Sequence, residues 1–373
     1  IRNELSPFEI KIAKYLGRNG VKVSAITFYE IKKEYKEYFD DAIHWFKEGE
    51  EKLSKIAKLM HLPDFLKKIS KKKNTILIGV TSTSNWFTAF VFFWLYYKAK
   101  KRIYFPYDIA YFRYKKYKTY PFYVRFSEKF NFRNCDGIIH KGPKDELKYL
   151  PKNFKALKKP SLQFLPYCDE DVMIEMDDEY FENKLSKKEG GIHLVYVGGV
   201  YHNHKMHFDT IEVFKKILNQ NFHIHVYTQR YGKIVDDPKY EKLCENNLFH
   251  LHKPIYGKNF QKEISKYDWG VYMFHRRFDK MNVPPCDMAF GNKISSYLEA
   301  GLPVIVNSEL KFVSKVTNIN EFGMVINHID ELKNKIDITD YNNILSTIER
   351  KRIKFSLSNK INELVKFLGV ESY

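Results

Sequence analysis

Cysteine is scarce and scattered in this chain. Its 373 residues hold four, Cys135, Cys168, Cys244 and Cys286, with no CxxC pair. Neither a disulfide framework nor a zinc knuckle is indicated, and a reducing cytoplasm is the expected setting. No signal-peptide pattern is visible in the sequence from Ile1 onward. Long apolar runs are lacking too. The longest, NWFTAFVFFWLYY at 85–97, is shorter than the roughly 20 residues of a normal membrane span. It lies between two strand-like segments and reads as a helix buried against a sheet. Acidic residues are outnumbered: 63 Lys and Arg against 45 Asp and Glu give a formal net charge of +18. That balance favours an anionic partner such as phosphate, an acidic membrane surface or nucleic acid. A compositional bias toward Lys, Asn, Ile, Tyr and Phe accounts for part of it.

What is present is a long alternation of strand and helix, which predicts an α/β architecture with parallel sheets. A clipped strand at 1–3 and a helix at 7–18 open the chain, followed by a strand at 21–28. Residues 30–72 are charged and read as helical. Strands are expected near 75–80, 102–107, 137–140 and 161–165. Residues 169–190 are acidic, polar and poor in strand signals, and read as a crossover. A second series has strands at 192–199, 222–228, 248–252, 269–274, 303–307 and 323–327, and residues 341–368 close the chain as helix. The expected organisation is two domains, 1–168 and 191–340, with 169–190 between them and 341–373 returning to the first. Two such halves suggest a cleft enzyme with its ligand at the strand C-termini.

Five features of the second half carry chemistry, in a fixed order. A strand ends in Gly198-Gly199, which permits close backbone approach to a phosphate. YHNHKMH at 201–207 follows, placing His204 and Lys205 where a loop meets a helix. YTQR at 227–230 ends the next strand with Arg230. YDWGVYMFHRR at 267–277 runs from a strand into His275 and Arg276. GNKISSYLEAGLPVIVN at 291–307 is a helix stopped by Gly301, with Pro303 opening a β-branched strand. Its polar face holds Asn292, Ser295, Ser296 and Glu299. A helix N-terminus near Asn292 offers backbone amides and a positive dipole end to a diphosphate. Lys293 would add a point charge and Arg276 a planar fork, and Glu299 is placed to accept from ribose hydroxyls. His223/His225 and His250/His252 each share a strand face. They lack Cys or carboxylate partners at metal-ligand spacing, so they are expected to line a phosphate cleft instead.

This order resembles the C-terminal domain of GT-B glycosyltransferases of the family-four-like type, over roughly residues 190–330, with YLEAGLPVIV its most specific piece. CDGIIHKG at 135–142, preceded by RFSEKF at 125–130, resembles the end of that family's acceptor-side domain. The family's paired glutamates fall on Met288 and Ser296. The Arg and Lys of its phosphate loop fall on Gly199 and His204. The pattern NK-x-S-x-YL-x-AGLPVIV is closer to bacterial galactofuranosyltransferases. The resemblance implies a GT-B fold of two Rossmann-like domains facing a central cleft. It implies transfer of a sugar from a nucleotide diphosphate sugar, with retention of configuration and no bound metal or other cofactor. The donor-site residues it implies are Gly198, Gly199, His204, Lys205, Arg230, His275, Arg276, Asn292, Lys293, Ser296 and Glu299.

The first half adds a basic aromatic run at 96–126, with 13 aromatic residues, nine Lys or Arg and a single acid, Asp108. Interleaved rings and cations suit a membrane interface or stacked bases. On the acceptor side of a glycosyltransferase they suit a lipid-linked or membrane-borne acceptor and peripheral contact with the cytoplasmic face of an anionic membrane. Asp108 follows a strand and is the candidate base for an acceptor hydroxyl; capping the next helix is its alternative role. Three other functions compete: a nucleotide-sugar epimerase on the same fold, a non-catalytic glycan-binding protein, and a nucleic-acid binder. The last lacks any RNP, KH or zinc-finger signature, so nucleic acid is not the expected partner.

Overall fold

A computed structural model describes residues 6–27, 30–44, 61–71, 75–81, 99–113, 121–200, 208–257, 259–273, 275–276 and 290–370. The chain forms two compact units, one of residues 1–165 with 360–373 and one of residues 166–359. The strand expected at 1–3 and the apolar run at 85–97 lie outside the described residues. None of the described helices is long and apolar enough to cross a membrane.

The first unit opens with helix Pro7–Arg18, started by a capping box in which Ser6 and Glu9 satisfy each other's backbone amides. Strands β1 (Ser24–Thr27) and β2 (Asp41–His44) pair in parallel. β2 corrects the sequence reading, which took 30–72 as helical. Its apolar signal is one pair, Ala42-Ile43, inside a charged stretch, and only pairing with β1 makes a strand of it. Four further strands, β3 (Ile76–Thr81), β4 (Lys101–Pro106), β5 (Gly137–His140) and β6 (Ser161–Gln163), form a parallel sheet in sequence order. Ile103, Tyr104, Phe105, Ile138 and Ile139 are buried in it. Tyr104 meets Phe132 edge-on at 4.9 Å, which seats helix Phe122–Asn134 on the sheet.

The second unit is built on six parallel strands: β7 (His193–Val197), β9 (His223–Tyr227), β10 (Phe249–His252), β11 (Trp269–Tyr272), β13 (Val304–Asn307) and β14 (Gly323–Ile326). Their order is β10-β9-β7-β11-β13-β14. The order reverses at β7, whose C-terminal end therefore borders a crevice of the kind that receives ligands in open α/β sheets. A separate two-residue ribbon pairs β8 (Phe208–Asp209) with β12 (His275–Arg276), antiparallel. Helices Tyr341–Lys354 and Leu357–Leu368 replace the single closing helix expected from sequence, and Ser356 between them bridges to Cys168.

One face of this sheet carries a histidine array. His193 Nε2 lies 3.0 Å from the Gly190 carbonyl, so that nitrogen bears the proton. His193 Nδ1 then accepts from His225 Nε2 at 3.0 Å, and His225 Nδ1 accepts from His252 Nε2 at 3.0 Å. His223 and His250 pair beside them at 3.1 Å. The rings serve one another: His193 and His223 open their strands, at the end of the sheet away from Gly198, and the array runs across to His252, the last residue of β10. Among the described residues no group of His, Cys, Asp or Glu is arranged to hold a metal.

Burial, reinforced by neighbouring imidazoles, holds His223, His225 and His250 below the ordinary histidine range, and burial does the same to His252. Glu189 near His223 and His250, and Glu263 near His252, oppose the effect, while Lys266 adds to it. A folded state that binds fewer protons than the unfolded chain loses stability as pH falls below the unfolded histidine value of about 6.5. Melting temperature should therefore decline steeply from pH 7.5 to 5.5, and His250→Gln, at the half-buried rim, should flatten that decline.

Candidate functional site

Helix Asn292–Glu299 is the element that organises the second unit's sheet edge. Its residue Tyr297 is fully buried, and the hydroxyl accepts from the Val197 amide at 3.0 Å and donates to the Val271 carbonyl at 3.1 Å. One side chain thus ties the helix to β7 and β11 together. The ring lies over Gly270, where a Cβ would stand 2.4 Å from it. The other end of the helix is held as firmly. Glu299 is fully buried, and its Oε1 and Oε2 accept from the Asp169 amide at 2.9 Å and the Gln261 side chain at 3.0 Å. Its carbonyl accepts from the Ile174 amide at 2.8 Å, and the Ile174 carbonyl accepts from Arg352 at 2.7 Å. Tyr180 donates to the Gly301 carbonyl at 2.8 Å. Lys184 in turn donates to the Tyr180 hydroxyl and to the Ser265 and Tyr267 carbonyls. Burial draws its pKa down to about 7.

The polar helix face of the sequence is therefore not solvated. Ser295 and Glu299 are buried, and of that face only Asn292 and Ser296 are partly exposed, near Lys293. Glu299 departs from the expected ribose contact because both carboxylate oxygens are engaged inside the unit. At the N-terminal end Gly291 holds the cap position with extended backbone, and as a glycine it supplies no side-chain cap.

Gly198, directly after β7, donates its amide to the Tyr227 carbonyl at 2.8 Å. Its φ of +123° belongs to glycine, and a Cβ there would lie 2.6 Å from Lys293 Cε. Glycine and lysine thus fit against each other. The Lys293 ammonium sits 3.9 Å from the centre of the Tyr196 ring and 5.8 Å from that of Tyr272. Burial pushes its pKa down to about 7. The Tyr196 hydroxyl donates to the Gly199 carbonyl at 2.7 Å, which fixes the loop. These two tyrosines were missed from sequence, although both lie at or next to the last residue of a strand, in LVYVGG and GVYMF.

Arg230 is exposed at the C-terminal end of β9, and its amide donates to Thr228 Oγ1 at 3.2 Å. His275 and Arg276 follow β11 at the same edge, in the short strand β12. His204 and Lys205 lie outside the described residues. The C-terminal sheet edge thus brings together Gly198, Gly199, Arg230, the backbone of 275–276 and the helix start at Asn292 and Lys293. A surface cavity of about 620 Å³ between helices Ile211–Leu218 and Pro238–Cys244 contains none of these residues.

In the first unit, Asp108 follows β4 and is partly exposed. The amides that open the next helix, Ala110 and Tyr111, donate to the two carboxylate oxygens of Glu128. The buried Glu128 therefore caps the start of that helix.

Residues 208–359 match the family model described as "Glucosyltransferase 3-like, C-terminal domain". The fold is that of the GT-B glycosyltransferases. The chain is similar along nearly its whole length to Anabaena Alr3699/HepE solved with UDP and glucose, at 12% identity and a TM-score of 0.64, covering 99% of this chain and 98% of that one. A glycosyltransferase from Rickettsia africae ESF-5 is similar at 14% identity and a TM-score of 0.64, with 99% and 96% covered. The E. coli structure titled trehalose-6-phosphate, bound with UDP-2-fluoro glucose, gives 9% identity and a TM-score of 0.62, with 100% and 99% covered. No curated protein matches the chain in sequence. The expectation of a GT-B fold is borne out, and the family match over 208–359 agrees with the glycosyltransferase class expected.

The fit of Gly198 against Lys293 is testable by itself. Gly198→Ala adds a strained backbone and a clash with the lysine stem, and should destabilise the protein by about 1–3 kcal/mol. Urea denaturation measures this, and an unchanged midpoint would mean that the loop relaxes freely.

Proposed function

We propose that this GT-B protein transfers a sugar from a nucleotide diphosphate sugar, bound at the C-terminal sheet edge of the second unit, to a glycan or lipid-linked acceptor. The observation that carries the reading is the convergence of the Gly198 loop, Lys293 and the start of helix Asn292–Glu299. Backbone amides and a positive helix end suit a diphosphate. The lysine supplies charge where negative charge grows as the bond to the sugar breaks. Arg230, Arg276, Asn292, Ser296, His204 and Lys205 complete the donor contacts in this reading, while Glu299 positions the helix. No metal is assigned, because lysine, arginine and the helix end together can carry the leaving-group charge. The family-matched domain contains most of these residues, and UDP or a UDP-sugar is bound in two of the structures compared above. The basic aromatic composition of 96–126 supports an acceptor presented at an anionic membrane.

Lys293 gives the donor reading a signature. With a pKa near 7, well below the ordinary lysine value of 10.5, the free protein's ammonium is mostly deprotonated at pH 8. An incoming diphosphate favours the charged form, so binding should take up a proton at pH 8 and very little at pH 6. Calorimetry of UDP, GDP, ADP and dTDP in buffers of different ionisation enthalpy measures this. Lys293→Met should abolish the uptake and, like Arg276→Ala, weaken binding by about 1–3 kcal/mol. Full affinity in both variants would remove the proposed site.

Asp108 is assigned to the acceptor hydroxyl as base or positioning acceptor. Asp108→Asn should lower single-turnover transfer at saturating donor by about 10²-fold or more while leaving donor affinity unchanged. A near-wild-type rate would remove Asp108 from the reaction. Product analysis with donor alone and then with acceptor separates transfer from epimerisation.

A further inference from the structure

Helix Phe122–Asn134 divides its residues by chemistry as well as by burial. Val124, Ser127, Glu128, Asn131 and Phe132 are buried. The helix has four charged side chains, Arg125, Glu128, Lys129 and Arg133, and the acid is the one turned inward, onto the amides of Ala110 and Tyr111. On the outer side, Phe122 is 72% exposed, Phe126 53% and Tyr123 44%. Phe122, Phe126 and Phe130 repeat every four residues and stack in sequence, with ring centres 5.9 Å apart at each step. Arg125, Lys129 and Arg133 repeat every four residues beside them. Every outer residue from 122 to 133 is aromatic or cationic.

We propose that this face docks the protein on an anionic lipid bilayer. It deepens the membrane-contact part of the function proposed above and needs no sugar transfer to be true. Large aromatic rings held in water lose the stabilisation that burial gives them, and here the exposed Phe122 and Phe126 form one row with the half-buried Phe130. The apolar centre of a protein interface is depleted of charge, lysine included, whereas here a row of cations that includes Lys129 runs directly beside the rings. This face offers no acid, and its one exposed side-chain amide, Asn134 at the helix end, is turned onto the Phe130 carbonyl. A row of rings with a parallel row of cations is what a helix lying in a bilayer interface presents: the rings enter the headgroup–acyl boundary and the cations meet lipid phosphates. The Tyr123 hydroxyl can remain at headgroup level. The helix, of about 20 Å at 1.5 Å per residue, would lie along the surface without crossing it. The net charge of +18 adds long-range attraction of the right sign.

The test uses the full chain and sedimentation with vesicles of phosphatidylcholine, with and without about 30% phosphatidylglycerol. Wild-type protein should bind the anionic vesicles at low salt and be released by added salt. Phe122→Ser/Phe126→Ser should reduce binding about tenfold or more, because the apolar anchor is lost. Lys129→Ser/Arg133→Ser should reduce both the binding and its salt dependence. All four positions are on the outer face, so melting temperatures should stay near wild type, and UDP calorimetry reports the donor site separately. Three results would overturn the proposal: wild-type protein that ignores anionic vesicles, an aromatic variant that binds as wild type does, or self-association that the aromatic variant abolishes while vesicles are left unbound.

Discussion

The Tyr297 hydroxyl, bridging the Val197 amide and the Val271 carbonyl, is the constraint on which the proposed donor site rests. It locks one helix across two neighbouring parallel strands at the depth of the sheet. The C-terminal end of that helix is fixed by Glu299, Tyr180 and Arg352, which join it to residues 169–180 and to helix Tyr341–Lys354. With one end and the middle fixed, the N-terminal end has a defined position beside Gly198. A phosphate-binding position needs its amides oriented before the ligand arrives, and buried hydrogen bonds supply that orientation.

The arrangement sets stability against function at one residue. Lys293 is folded against two tyrosine rings and a glycine, where burial disfavours its charge. A phosphate would relieve that cost by supplying the opposite charge. The buried Lys184 shows the contrasting use of the same chemistry, with its three donors all taken by internal oxygens. One lysine closes a structural joint through three internal acceptors, and the other lies against two tyrosine rings beside the glycine loop.

Much of the fold was legible in the sequence because parallel strands buried on both faces read as short β-branched or aromatic runs. The strand expected at 137–140 coincides with β5, and those of the second half differ from expectation by a few residues at their ends. What failed had physical causes. β2 is carried by a single apolar pair. The break at 355–356 leaves the helical pattern on either side intact. The polar face of helix Asn292–Glu299 was read as wholly ligand-facing because a sequence does not say that Asp169 and Gln261 will turn toward Glu299. The histidines looked like cleft residues because alternation places them on one strand face without saying that the rings will bond one another. The Gly198-Gly199 turn and the GNKISSYLEAGLPVIVN helix were legible. Tyr196, Tyr272 and Tyr297, which hold them together, were not, because they resemble any other core aromatic. Glu128 was hidden in the same way, one acid among the cations of a basic helix.

The central claim is a location: the donor diphosphate sits at the start of helix Asn292–Glu299, between Lys293 and the Gly198 loop. A crystal structure of the chain with UDP tests this most directly. The account predicts terminal phosphate oxygens within about 3 Å of a first-turn amide of that helix and of the Lys293 ammonium. A diphosphate bound elsewhere on the chain, with Lys293 still folded against Tyr196, would contradict it.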